Sequence, residues 1–217
     1  MPSKYIVRNF AENCYYHVFN RGVGVEKRDV FLDEQDYKIF KYYLSVYLLP
    51  KEVSLQLYKK VPLRLLAKNL NTEVELITYC LMPNHFHLLL KQAAAESISK
   101  FMKQLINAYT QYFNTKYQRV GGLFQGRFKA VLIETDELLL HISRYIHLNP
   151  LASGLITKLE LYPWSSYDEY MGKQKDSLCQ KEIILNQFPS TDHYKQFILD
   201  QADYAKELNK IKHITID

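Results

Sequence analysis

The chain has 217 residues, 47% hydrophobic and 24% charged, with a formal net charge of +5. That is enough for one domain with a sizeable core, and ordinary for a folded globular chain rather than a disordered one. No apolar run is long enough to span a membrane, and the start MPSKYIVRNF lacks the apolar stretch of a signal peptide. Cys14, Cys80 and Cys179 form no CxxC pair, which argues against a zinc ribbon or a disulfide framework, so the expected location is the cytoplasm.

Taken in chain order, YYHVFNRG (15–22) alternates and ends in Arg-Gly, which predicts a first strand. Phe31, Tyr37, Phe40, Tyr43, Leu44 and Tyr47 then recur near helical spacing with acids early, predicting a helix from about Asp33 that stops before Pro50. Residues 51–72 read as a mostly helical connection, with Pro62 suited to a first helical turn. EVELITYCLMP (73–83) is a second strand and HFHLLLKQ (85–92) a third. Pro83-Asn84 between them is either a hairpin turn or a bulge in a single strand. Ile98, Phe101, Leu105, Tyr109 and Tyr112 make the apolar stripe of a helix over 97–117. Gly121-Gly122 breaks the chain, GRFKAVLIE (126–134) is a further strand, and 135–149 is a helix with Thr135 as N-cap and Pro150 as its stop. After Gly154 the pattern weakens. Residues 1–155 form the first domain and 156–217 a helical or irregular C-terminal extension, with one helix near 193–210. The order predicts an α+β fold, a ferredoxin-like antiparallel sheet with helices packed on one face.

His85 and His87 stand at i and i+2 in the third strand, so both rings project from one face, with Phe86 and Leu88 on the other. Two adjacent imidazoles fill a core poorly and hold a metal well. No nearby Cys or His closes a tetrahedral structural site, so any metal here keeps open positions, as phosphate chemistry requires. In the last predicted helix, Leu138, Ile142, Tyr145, Ile146 and Asn149 share a face that is apolar at its start and ends in a phenol and an amide one turn apart. Tyr145 can serve there as a nucleophile and Asn149 as a third ligand. Tyr109 is a rival nucleophile, but one turn later it has only Phe113, which ligates nothing. Tyr79 reads as core, and His17, His141 and His147 as surface or edge histidines.

Charge is unevenly placed. Between Glu96 and Glu134 there is no acidic residue, while Lys100, Lys103, Lys116, Arg119, Arg127 and Lys129 fall in that interval and leave the rest of the chain at −1. A segment without carboxylates points to a phosphate-rich partner, although a solvated basic helix face has the same composition. Arg127 and Lys129, two apart on one predicted strand, are the leading candidates for DNA contact, followed by Arg119, Lys116, Lys103, Lys100 and Arg21.

The motifs YHVFNRG, TYCLMPNHFHLLL, GLFQGRFKA and RYIHLNPLASGL, in this order, resemble the HUH single-strand DNA transposases with one catalytic tyrosine, in their REP-associated tyrosine transposase branch. The resemblance covers roughly residues 15–170, and His85-Phe86-His87 matches the motif that names the family. It implies that 1–155 is a catalytic domain, that Tyr145 attacks single-stranded or hairpin DNA, and that His85, His87 and Asn149 hold a divalent Mg or Mn ion. Related insertion-sequence enzymes carry Gln at the position of Asn149. The implied products are a 5′-phosphotyrosine and a free 3′-hydroxyl, a nicking and rejoining reaction that serves DNA transposition. A homodimer stays open, since some relatives share active sites in trans and others act as monomers. Two other readings remain: a domesticated hairpin-DNA-binding protein without transposition activity, and an RNA-binding ferredoxin-like domain with exposed sheet aromatics.

Overall fold

The computed structural model describes residues 7, 9–174 and 177–200. The chain runs through Tyr15–Arg21 (β1), Glu34–Leu48 (α1), Lys51–Leu57 (α2), Leu63–Leu66 (α3), Val74–Met82 (β2), His85–Gln92 (β3) and Ser97–Lys116 (α4). It continues through Lys129–Ile133 (β4), Asp136–Ala152 (α5), Tyr167–Tyr170 (α6), Glu182–Leu185 (α7) and Thr191–Leu199 (α8). The strands form one antiparallel sheet in the order β2-β3-β1-β4, the expected ferredoxin-like sheet. Of the helix expected near 193–210, α8 covers the beginning, and residues from 201 on lie outside the described residues.

Alternation along β3 separates the two faces. Phe86 packs against Phe40 of α1, which in turn meets Tyr109 of α4, so α1 and α4 form the helical layer on that face. His87 on the other face meets Tyr145 of α5. The expected helices on one face are therefore α1 and α4, while α5 adds a third layer on the opposite side. The reason lies in the connection: β4 is an outer strand, and the chain leaving it crosses back over the face that α1 and α4 leave uncovered.

Pro83-Asn84 is a two-residue hairpin turn, because Met82 pairs with His85. Its carbonyls are held from outside. Val30 and Phe31 N–H groups donate to Pro83 O, and Gly22 N–H donates to Asn84 O. Gly22 is required at that point, since a Cβ would lie 1.9 Å from Arg28 O.

Thr135 caps α5 as expected, its side chain accepting from Leu138 N–H. Pro150 does not end that helix but lies inside it. The stop comes at Gly154, with φ +76°, where Gly154 N–H donates to Leu151 O and Leu155 N–H to Pro150 O. That is a Schellman ending, which favours glycine because it needs a left-handed residue.

The described residues after 155 are packed into the same body. Leu81 N–H donates to Trp164 O and Ser166 N–H to Tyr79 O, so this segment seals the outer edge of β2. Buried Glu169 accepts from Tyr79 Oη–H and from the N–H groups of Leu178 and Cys179.

Candidate active site

The pairing register lines up one row of side chains on the α5 face: Cys80 of β2, His87 of β3, Phe19 of β1 and Lys129 of β4. His85 stands two residues from His87 on the same face, with ring centroids 4.9 Å apart. Above this row, Tyr145 presents its ring edge to both His87, at 5.4 Å, and His17, at 5.9 Å. Asn149, one turn further along α5, interacts through its side chain with both the Tyr145 phenol and the His85 imidazole. The four residues singled out by spacing thus come together, on two elements that the fold lays against each other.

Both candidate ligand histidines have Nδ1 engaged. His85 Nδ1 lies 2.6 Å from Asn84 Oδ1, and His87 Nδ1 lies 2.9 Å from His17 Nε2. Burial pushes His85 down to about 4, against a smaller opposing effect of Asn149, with Lys27 and Arg21 lowering it further. The imidazole is therefore neutral near pH 7, as a ligand must be. Burial also raises the Tyr145 phenol above its ordinary value, and Asn149 partly offsets this. Even so the side chain is 38% exposed, open to a partner from outside.

Among the described residues no three His, Cys, Asp or Glu side chains form a metal-binding group. Beside His85 and His87, the Asn149 side chain meets the His85 imidazole, which makes its amide oxygen the candidate third donor. Two imidazoles and one amide oxygen could hold a divalent ion that keeps open positions: the amide oxygen suits the expected Mg or Mn, whereas the imidazoles suit Fe, Ni or Zn better.

The cations fall into separate groups. Lys129 lies in the His87 row, and Arg21 and Lys27 are close enough to His85 to depress its pKa. Arg21 also donates to Gln125. Arg127 does not share a strand face with Lys129, because β4 begins only at Lys129 and the Arg127 guanidinium turns to Ser99 Oγ on α4. Lys116 is bound to Asp33 and the buried Asp36, Lys100 to Glu73, and Arg119 to Asn114. Lys100 and Lys103 line a cleft with Arg64 and Lys68 on the α4 layer, across the sheet from Tyr145.

Several histidine and tyrosine readings change. His17 and His147 are buried, not at the surface; His147 lies between Tyr194 Oη and Ser166 Oγ. His141 is exposed beside Glu137. Tyr109 is enclosed in the α1/α4 layer and donates to Val30 O, which removes it as a nucleophile. Tyr79 is core, as expected. Lys27 and Asn84 carried no sequence signal: Lys27 sits among Glu26 and Asp29, and Asn84 reads only as a turn residue.

Residues 39–149, just over half of the chain, match the family described as transposase, IS200 like. The chain belongs to the IS200-like transposase family. A Haemophilus influenzae protein described as a REP-associated tyrosine transposase is 28% identical over 103 residues, covering 43% of this chain and 58% of that protein. The match thus spans less than two thirds of the relative. A solved structure of a REP-associated tyrosine transposase bound to a REP hairpin superposes with a TM-score of 0.52 at 13% identity. It covers 81% of this chain and 89% of the other, and shows that the transposase fold is shared.

Proposed function

We propose that this transposase-family chain cuts and rejoins single-stranded or hairpin DNA through Tyr145, with a divalent ion held by His85, His87 and Asn149. The observation that carries this is the convergence of one partly exposed phenol, two imidazoles with Nδ1 engaged and one amide at a single point on the sheet face. A DNA-binding protein without turnover has no use for that grouping.

When bound, the ion supplies positive charge that polarises the scissile phosphate and offsets the charge developing on it. Tyr145 Oη forms the new bond to phosphorus as the bond from phosphorus to the 3′ oxygen breaks. The phenolic proton leaves, and the departing 3′ oxygen takes up a proton to become the free hydroxyl. The energy of the phosphodiester is kept in the phosphotyrosine, so rejoining requires no ATP. Asn149 orients the phenol and favours its ionised form. Arg21, Lys27 and Lys129 hold the phosphates that flank the reacting one. The REP hairpin in the related structure makes a hairpin with a single-stranded flank the substrate to test.

The test uses labelled hairpin DNA with a single-stranded flank, incubated with Mn and run on a denaturing gel. A protein-linked band is expected from the wild type and none from Tyr145→Phe, which still binds the DNA. Binding without a band from the wild type would support the domesticated hairpin binder instead.

A further inference from the structure

We infer that Arg28 and Arg119 together hold one further phosphate of the DNA strand that leaves the reacting centre. This rests on reading the chain as a DNA-cleaving enzyme, and adds a contact beyond the phosphates given to Arg21, Lys27 and Lys129.

The two arginines are distant in sequence, and the fold brings them together. Residues 22–29, after β1, are bonded to residues 119–125, before β4. Gly22 bridges to Phe124, Val23 N–H donates to Leu123 O, Gln125 N–H donates to Arg21 O, and Arg21 Nε–H donates to Gln125 Oε1. The two loops therefore extend past the end of the sheet as one rim. Arg28 returns to it because its N–H donates to Val23 O, and Arg119 reaches it at the end of α4, where its N–H donates to Asn114 O. Each follows a non-glycine residue in the left-handed region, Lys27 at φ +52° and Gln118 at φ +50°. That conformation is unfavourable for residues with a Cβ, so the neighbouring bonds must hold both reversals.

The side chains are set for an anion. Arg119 is half-buried. Its Nη1 donates to Asn114 Oδ1 at 3.1 Å, and its guanidinium lies 5.6 Å from the Phe113 ring centroid. Asn114 is fixed in turn by donating to Gly121 O at 2.8 Å. The guanidinium plane is thus held with one donor engaged, which leaves the rest for a partner. Arg28 is exposed. Burial lowers the Arg119 pKa and the Arg28 charge lowers it further, so the two cations repel. Among the described residues no carboxylate forms an ion pair with either, although Glu26 and Asp29 share the loop with Arg28. A phosphate between them removes the repulsion and accepts from both guanidinium groups.

Position selects which phosphate. Arg21 and Lys27 belong to the same rim and are near enough to His85 to lower its pKa, whereas Arg28 and Arg119 have no such effect. A strand running outward from the reacting centre along this rim passes Arg21 and Lys27 first and the arginine pair after them.

The test measures binding alone, on the full chain without metal, so that no cleavage intervenes. The probes are hairpin DNAs with a single-stranded flank, each carrying one uncharged methylphosphonate at a successive flank position, read by fluorescence anisotropy. One position should cost the wild type about 10-fold in affinity and Arg28→Ala/Arg119→Ala nothing, while the other sensitive positions cost both alike. If Arg28→Ala and Arg119→Ala each cancel a different position, they hold separate phosphates and the pair is overturned. It is overturned too if the double variant keeps wild-type affinity, or if every position costs it what it costs the wild type. Melting curves check folding. Should Arg119→Ala not fold, Arg28→Ala decides alone, and it should remove most of the cost at that one position. The adduct assay with Mn, run beside it, reports separately on the proposed function. A Tyr145 adduct beside any overturning result ends this inference only, and wild type that neither binds the DNA nor forms the adduct ends both.

Discussion

Burial keeps the histidines around this site neutral. His17 and His85 are pushed down to about 4 and His147 to about 3. Their unfolded values lie near 6.5, so between these limits the unfolded chain binds more protons than the folded one. The contribution to stability is complete above pH 6.5 and is lost as pH falls through that window. Melting temperature should therefore drop steeply between pH 6.5 and 4, and His147→Gln should reduce the slope; a flat profile would contradict the neutral, buried assignment. At this scale the sequence was informative where one element carries the pattern. His85 and His87 share a strand, and Tyr145 and Asn149 share a helix turn, so spacing alone put each pair on one face. His17 escaped because its partner is on another strand, and no local spacing encodes the register that brings β1 beside β3.

Two endings decide where α5 holds its phenol. Thr135 caps the start, and Gly154 closes the end with a left-handed residue. Nothing lies within 4 Å of a Cβ built at Gly154, so only backbone conformation resists a side chain there. Gly154→Ala should cost about 1–2 kcal/mol in urea unfolding, all of it from the left-handed backbone and none from a clash with a neighbouring residue. Pro150 read as a stop because proline is a poor interior helix residue, yet the buried packing of 146–151 carries the helix past it. The C-terminal extension was the least legible element. It forms short helices and an irregular edge, and its order comes from long-range bonds. Glu169→Ala removes one carboxylate that serves Tyr79, Leu178 and Cys179. With unsatisfied buried donors costing about 1–3 kcal/mol each, the variant should lose about 3 kcal/mol or more. A loss within error of zero would show that this segment does not support β2.

Across the whole molecule, charge is distributed by surface rather than by sequence interval. The acid-free stretch between Glu96 and Glu134 looked like one track, but the fold divides it between the α4 layer, ion pairs with acids from elsewhere, and Lys129 alone in the row of the site. Lys116 shows why the interval misled: its acids, Asp33 and Asp36, are some 80 residues away in the chain. Replacing Arg21, Lys27 or Lys129 by Ala should each lower the salt slope of single-strand binding by about 0.7, read by fluorescence anisotropy. Lys116→Ala should lower stability and leave the slope unchanged. Equal slopes for all four variants would mean that net charge alone governs binding.

The account turns on Tyr145 as the attacking group, and peptide mapping of the covalent product reads that directly. After reaction with hairpin DNA and Mn, nuclease trimming and proteolysis, mass spectrometry should find the residual 5′-phosphonucleotide on the peptide containing Tyr145 and on no other tyrosine. A nucleotide on any other residue, or a cleaved strand with no protein-linked product, would contradict it.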